Sequence, residues 1–424
     1  MALEDFKPMM ERCSHCSFCK WIPFDKMKSL RFAENCPSVS YSNFTSYCAR
    51  GRFQLAMSML EGRCTYSDTV TEVIHQCTTC GLCDVECKLC RYNLEPLAHN
   101  IELKCRAVED GQILPKQRIM IDTLKKEKTM MPGKVKAERL NWLKDLKVKD
   151  LTKEKGEILF FPGCRYSYDK DLQKTARNSL QILQNAGVDV GVLGSMDMCC
   201  AGRAEGMGFR DEFMEAANAN LKVFKKAGIK TIVTPCSDCY HAFKRLYPTL
   251  GSNIEVLHTV EYVERLIKKG KIKFTKSLPL TVTYHDPCHL GRQGEPYVAW
   301  EGKEKKILNQ VHTWEPRRPR YNGAYGIYDA PRNVLKSIPG LTLVEMERIR
   351  EYSWCCGAGG GCSETYPEFS AYTAGERITE ANSTGAEALV TACGWCERNF
   401  MNAVDENGKS IKVYDITDLV QKAL

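Results

Sequence analysis

No run of about 18 apolar residues occurs in the chain, so no membrane-spanning helix is expected. The opening stretch, Met1-Ala-Leu-Glu-Asp-Phe-Lys7, carries acidic residues and has no apolar core, so no secretory signal is expected either. No glycine-rich flavin or nicotinamide fingerprint follows an apolar run. The chain is therefore not expected to accept hydride itself and should depend on a redox partner. The formal net charge is +8, but no helix-turn-helix or RNP-type pattern accompanies it, which argues against nucleic acid. That charge omits thiolates, so a metal-loaded chain lies nearer neutrality. A solvated surface with docking patches accounts for the excess of basic residues.

What the chain has in quantity is cysteine. It holds 23 in 424 residues, with 43% hydrophobic and 26% charged residues, an ordinary globular balance. Small secreted domains use cysteine to staple inadequate cores. A chain long enough for two to four domains has no such need. An odd count with many Cys-x-x-Cys pairs favours metal over disulfides, and thiolate ligands fit a reducing, cytoplasmic setting.

A set of five thiols occurs twice. The first is Cys164, then Cys199-Cys200, then Cys236-Ser-Asp-Cys239; the second is Cys288, then Cys355-Cys356, then Cys393-Gly-Trp-Cys396. One zinc ion needs four ligands, so five thiols in a repeated order point to two polynuclear iron–sulfur sites. Glu157–Cys164, 231–236, 280–288 and 388–393 are short β-branched runs ending in these cysteines, and helical patterns over 171–185, 212–226 and 368–382 lie between them. Strands alternating with helices predict parallel sheets, with ligands at the carboxyl ends of the strands. The intervals Cys200–Cys236 and Cys356–Cys393 enclose 35 and 36 residues, whereas Cys164–Cys199 and Cys288–Cys355 enclose 34 and 66. The excess of 32 falls at about 294–326, an insert with Trp300, Trp314 and Arg317-Arg318-Pro-Arg320. It is expected either to dock a partner protein or to cap the site.

Residues 1–110 carry Cys13-x2-Cys16-x2-Cys19 and Cys77-x2-Cys80-x2-Cys83-x3-Cys87, with Cys36-Pro37 between them. This is the bacterial ferredoxin pattern, in which the fourth cysteine of each run serves the other cluster. One cubane is assigned to Cys13, Cys16, Cys19 and Cys87, the other to Cys77, Cys80, Cys83 and Cys36. Cys90 is an alternative to Cys87, and zinc-ribbon pairing is the competing reading of the same residues. A helix is expected within 44–60. Residues 111–156, rich in Lys and Glu with a Pro132-Gly133 turn, read as a mobile, solvated helical and basic linker. Cys48, Cys64, Cys105 and Cys362 are expected to be packing or spare thiols. His285 and His289 flank Cys288 and are expected to pack, to bond a cluster sulfur or to protonate a thiolate. Gly357-Ala-Gly-Gly-Gly361 is expected to let the backbone wrap a cluster rather than bind a nucleotide.

The doubled five-cysteine set resembles the paired cysteine-rich CCG domains. The order, two cubane motifs and then the pair, resembles the D-subunit family of heterodisulfide reductases. It is also similar to the iron–sulfur subunits of glycerol-3-phosphate and glycolate dehydrogenases and to proteins of class II benzoyl-CoA reductase complexes. The resemblance implies duplicated α/β CCG domains at 157–275 and 276–424 with parallel-type sheets, behind an N-terminal α-helical 2[4Fe-4S] ferredoxin-like domain. It implies two cubanes feeding two non-cubane [4Fe-4S] clusters, one per five-cysteine set, with a small-molecule disulfide cleaved between them. It also implies life in a multi-subunit complex of anaerobic metabolism, cytoplasmic or held at a membrane by partners. The expected partner is a flavoprotein of the heterodisulfide reductase A type or a b-type cytochrome. Both sets are complete here, which favours the disulfide-reducing branch over an electron relay with no substrate of its own.

Overall fold

The computed structural model describes residues 2–89, 94–308, 311–407 and 411–424. Among the described residues, no helix is long and apolar enough to cross a membrane.

The N-terminal module is helical. Its main helices are Ala49–Leu60, Asp68–His75, Leu82–Leu89 and Pro96–Glu109. Ser67 caps the second by accepting from the Val70 N–H, and Pro96 starts the fourth where its missing N–H costs nothing. Phe6, Met10, Phe53, Ile74 and Leu103 form the apolar core of this module. Burying each such side chain stabilises by about 1.5–3 kcal/mol. Arg52, 1% exposed, crosses this core to donate to the carbonyls of Val73 (2.9 Å), Gln76 (2.8 Å) and Tyr47.

The duplicated part forms two sheets. The first contains β1 (Lys149–Asp150), β2 (Ile158–Phe160), β3 (Val190–Val192), β4 (Thr231–Thr234) and β5 (Glu255–His258), all parallel in the order β1-β3-β2-β4-β5. The second contains β6 (Leu280–Tyr284), then, beyond the insert hairpin β7 (Lys303–Ile307) and β8 (Val311–Glu315), β9 (Leu341–Val344), β10 (Ala388–Thr391) and β11 (Lys412–Asp415). Its parallel order is β11-β10-β6-β9. With β6 equivalent to β2 and β10 to β4, both sheets read β3-β2-β4-β5 or its counterpart. The four apolar runs are therefore β2, β4, β6 and β10, and each ends just before its cysteine. Helices Gln173–Asn185, Arg210–Ala227 and Pro367–Ser383 match the periodic stretches between them.

Residues 111–156 depart from the expected solvated linker. Met120, Ile121 and Leu124 on helix Pro115–Glu127 are buried, as are Met130, Trp142 and Leu151, and all join the core of the repeats. Strand β1 extends the first sheet by pairing with β3. The Lys/Glu composition hid apolar residues that join the core of the repeats. The insert is a surface excursion. Every residue of β7 is exposed, and β7–β8 is antiparallel. It leans on the N-terminal module through Arg12–Glu304 (2.8 Å), Arg318–Glu95 (3.0 Å) and Lys88 donating to Tyr321 O (2.9 Å).

Candidate iron–sulfur centres

All ten repeat thiols lie at the carboxyl ends of the strands, and nine of them are buried. In the first repeat, Cys164 neighbours Cys199, Cys199 neighbours Cys200, and the Cys200 and Cys239 thiols share a hydrogen bond at 3.5 Å. In the second, Cys288 neighbours Cys355, Cys355 neighbours Cys356, and Cys356 neighbours Cys396. Cys239 neighbours Cys236, Cys396 neighbours Cys393, and Cys236 faces Cys393 across the seam. The two sets thus form one buried row. Among the described residues, no three Cys, His, Asp or Glu side chains converge on a single-ion position; the thiols touch one another instead.

The chemistry of this donor set fits iron–sulfur ligation. Cys200 accepts from Cys199 and Cys239, which outweighs burial and draws it down to about 5. Cys356, its counterpart, accepts from Cys355 and Cys396 and also falls to about 5. Each set therefore favours a thiolate, the ligand form, at the same place in the repeat. The Ala201 N–H donates to Cys199 Sγ and the Gly357 N–H to Cys355 Sγ, both at 3.3 Å. Ala201 and Gly357 adopt φ of 58° and 90°, which turns the backbone around the Cys-Cys pair. A Cβ on Gly163 would lie 2.8 Å from Cys239 Sγ, so this glycine leaves room for sulfur.

In the N-terminal module, Cys36, Cys77, Cys80 and Cys83 line one cavity together with Arg52. These are the four thiols grouped by spacing. Of the other four, Cys19 and Cys87 pack together with Cys48, Cys13 is half-buried near Cys16 and Cys48, and Cys16 is exposed. Cys48 was expected only to pack. It is fully buried but also bonds Cys19, which draws it down to about 6. Cys90 lies outside the described residues. Cys64 is half-buried, and Cys105 and Cys362 are buried.

The Cys77–Cys80 loop is docked on the repeats. Lys104, buried, donates to Cys77 O (2.7 Å) and reaches Gly206 O (3.4 Å) and Gly360 O (3.5 Å). Gln293 donates to Thr79 O (2.9 Å) and Arg292 to Cys80 O (2.7 Å). Cys80 then packs against Cys355, joining the N-terminal thiols to the second set. The glycine run serves this approach. A Cβ on Gly359 would lie 2.2 Å from Thr78 O, and one on Gly360 2.3 Å from Cys77 O. The loop thus makes room for a backbone as well as turning beside Cys355-Cys356.

Four buried cations attend the thiols, and no spacing announced them. Arg52 is beside Cys36, Cys77 and Cys83; Lys104 is beside Cys77 and Cys362; Arg292 is beside Cys80, Cys288 and Cys355. Arg139, from the supposed linker, donates to Cys164 Sγ at 3.3 Å. His285 is buried, and burial together with nearby Arg377 holds it well below its usual range, so it packs as a neutral ring against Phe400. His289 bonds Asp238 at 2.7 Å and stacks on His241 at 4.5 Å. Burial opposes its imidazolium, but Asp238 outweighs that and raises it. A polar cavity opens where the repeats meet, lined by Arg165, Ser363, Glu364, Trp395, Arg398 and Asn402 among others. The guanidinium groups of Arg165 and Arg203 both lie over the Trp395 ring, 4.1 and 3.6 Å from its centre.

The profile of CCG, a cysteine-rich domain, matches residues 158–244 and 317–401. The second match begins within the insert and omits β6 and Cys288. The D subunit of the dihydromethanophenazine:CoB–CoM heterodisulfide reductase of Methanosarcina mazei is 32% identical over 358 residues, 83% of this chain and 78% of that protein. An EtfAB:quinone oxidoreductase of Syntrophomonas wolfei is 29% identical over 86% of this chain and 48% of its own length. A probable iron–sulfur-binding oxidoreductase, FadF, of Bacillus subtilis is 29% identical over 84% of this chain and 47% of its own. With two CCG domains, a duplicated thiol row and this extent of identity, the chain belongs to the D-subunit family of heterodisulfide reductases, a family of iron–sulfur oxidoreductases.

Proposed function

We propose that this chain reduces a small-molecule disulfide as the iron–sulfur component of a multi-subunit complex. In this reading residues 1–110 are a ferredoxin-like domain. Cys13, Cys16, Cys19 and Cys87 hold one cubane and Cys36, Cys77, Cys80 and Cys83 the other. Each five-thiol set, in 157–275 and 276–424, holds a non-cubane four-iron cluster. The observation that carries the reading is the Cys236–Cys393 contact, which makes ten thiols one row across the seam. Clusters so held supply electrons one at a time. A disulfide takes two electrons and two protons to give two thiols, and two sites at one seam match that demand. The polar cavity beside Trp395 would admit the disulfide. Asp238 engages His289 Nδ1, so Nε2 is the nitrogen that would give a proton to a departing thiolate. Electrons would come from a flavoprotein or a b-type cytochrome, and the latter would hold an otherwise cytoplasmic chain at a membrane.

A second reading is an electron relay without its own substrate, coupling a flavoprotein to quinone or to an aromatic-ring reductase. The EtfAB:quinone oxidoreductase likeness favours it. EPR of the oxidised protein with added thiol separates the two. A new paramagnetic species that disappears in Cys236→Ser supports disulfide chemistry. A spectrum indifferent to thiol removes it and leaves the relay.

A further inference from the structure

Each repeat sets one buried arginine against its first cysteine and its Cys-Cys pair, but the two arginines differ in what neutralises them. In the first repeat, Arg139 is 1% exposed. It pairs with Asp197 at 3.0 Å while donating to Cys164 Sγ at 3.3 Å and Met198 O at 2.9 Å. In the second, Arg292 is 6% exposed and bonds only carbonyls: Cys80 (2.7 Å), Glu351 (2.8 Å) and Ser353 (2.9 Å). Among the described residues, its remaining nitrogen, Nη2, finds no hydrogen-bond partner. Among the described residues, it forms no ion pair with a carboxylate, and the thiols of Cys80, Cys288 and Cys355 lie around it.

The sequence locates the difference. Asp197-Met-Cys199-Cys200 aligns with Ser353-Trp-Cys355-Cys356, so the carboxylate that cancels Arg139 is replaced by a serine at the equivalent position. Ser353 accepts at Oγ from Arg377 (3.0 Å), which is itself paired with Glu380 (2.6 Å) and adds little net charge. A reduced centre carries one more negative charge than its oxidised form. An uncompensated buried cation stabilises that form, strongly so in a low-dielectric site.

We infer that the second thiol set holds the more readily reduced of the two repeat centres, and that the Asp197/Ser353 difference, acting on Arg139 and Arg292, creates the gap. Arg292 and Asp197 are positioning residues: they act through the thiols. Because Cys80 touches Cys355, the set in contact with the N-terminal thiols is also the one with the higher potential. A first electron entering there is retained, and a second electron is needed before both centres are reduced. This rests on the reading that both sets hold iron–sulfur centres.

The test is an EPR-monitored redox titration of the full chain with iron analysis of each sample. The unaltered protein should show two separate repeat-centre midpoints. Asp197→Ser should raise only the lower one, by at least tenfold in its one-electron equilibrium, which is 59 mV. Ser353→Asp or Arg292→Gln should lower only the higher one. Asp197→Asn, nearly isosteric, repeats the first test if Asp197→Ser loses iron. Coincident midpoints in the unaltered protein, or Asp197 variants that move the higher midpoint or neither, overturn the inference while the clusters stand. An unaltered chain holding only about 8 irons, the content of two four-iron centres, overturns the cluster reading and this inference together.

Discussion

Substituting Gly359 by alanine tests the docking of the N-terminal thiols on the second repeat. The new Cβ would lie 2.2 Å from Thr78 O, so one of the two backbones must retreat by about 0.8 Å to reach even 3.0 Å. The Cys77–Cys80 loop has little freedom to do so. Its carbonyls on either side of Thr78 are tied to Lys104 (2.7 Å), Gln293 (2.9 Å) and Arg292 (2.7 Å). Overpacking of this kind costs about 1–3 kcal/mol. Losing one hydrogen bond to a charged group adds about 1.5–3 kcal/mol. The expected weakening of the docked state is therefore about 2.5–6 kcal/mol, which is at least about seventyfold in its opening equilibrium. Hydrogen exchange at 77–83 reads this directly, because the loop opens without unfolding the sheets. Gly62→Ala is the control: its Cβ meets nothing within 4 Å, although its φ of 69° strains any side chain. Exchange at 77–83 that is unchanged in Gly359→Ala would refute the docking argument.

Other outcomes follow from particular groups. Glu380→Gln leaves Arg348 and Arg377, both at most 1% exposed, without their shared carboxylate (3.0 and 2.6 Å), and should cost about 3–5 kcal/mol in chemical unfolding. Burial, and then Asp418, raise the Asp415 carboxyl to about 7. A group whose folded pKa lies above its unfolded value binds its proton more tightly when folded, so stability should fall as pH rises from about 4 to 7 and then level off. Asp415→Asn keeps an acceptor for the Thr417 N–H (2.8 Å) and should flatten that part of the melting-temperature profile; an unchanged slope assigns it to other groups. Four four-iron centres predict about 16 irons per purified chain, and Cys164→Ser should alter the signal of one repeat centre while leaving the N-terminal ones in place.

Much of this protein is written in local pattern. The β-branched runs ending in Cys164, Cys236, Cys288 and Cys393 were readable as parallel strands because strand periodicity and the position of a site at a strand's end are properties of a few consecutive residues. The duplication was readable because both copies keep their spacing, and the grouping of Cys36 with Cys77, Cys80 and Cys83 followed from motif order. Residues 111–156 were misread because their charge is local, whereas the core that Trp142 and Leu151 join is built elsewhere. Arg139, Arg292 and Lys104 had no motif to announce them. A buried cation is functional only by what lies around it, and these three donate hydrogen bonds to groups 25 to 256 residues away. The sequence by itself determined which thiols exist and the order in which they recur, since both are properties of residue type and spacing. Only the tertiary structure decided that Cys236 meets Cys393, that Cys80 meets Cys355, and that one copy's arginine is neutralised while the other's is not, because contact and compensation are properties of space.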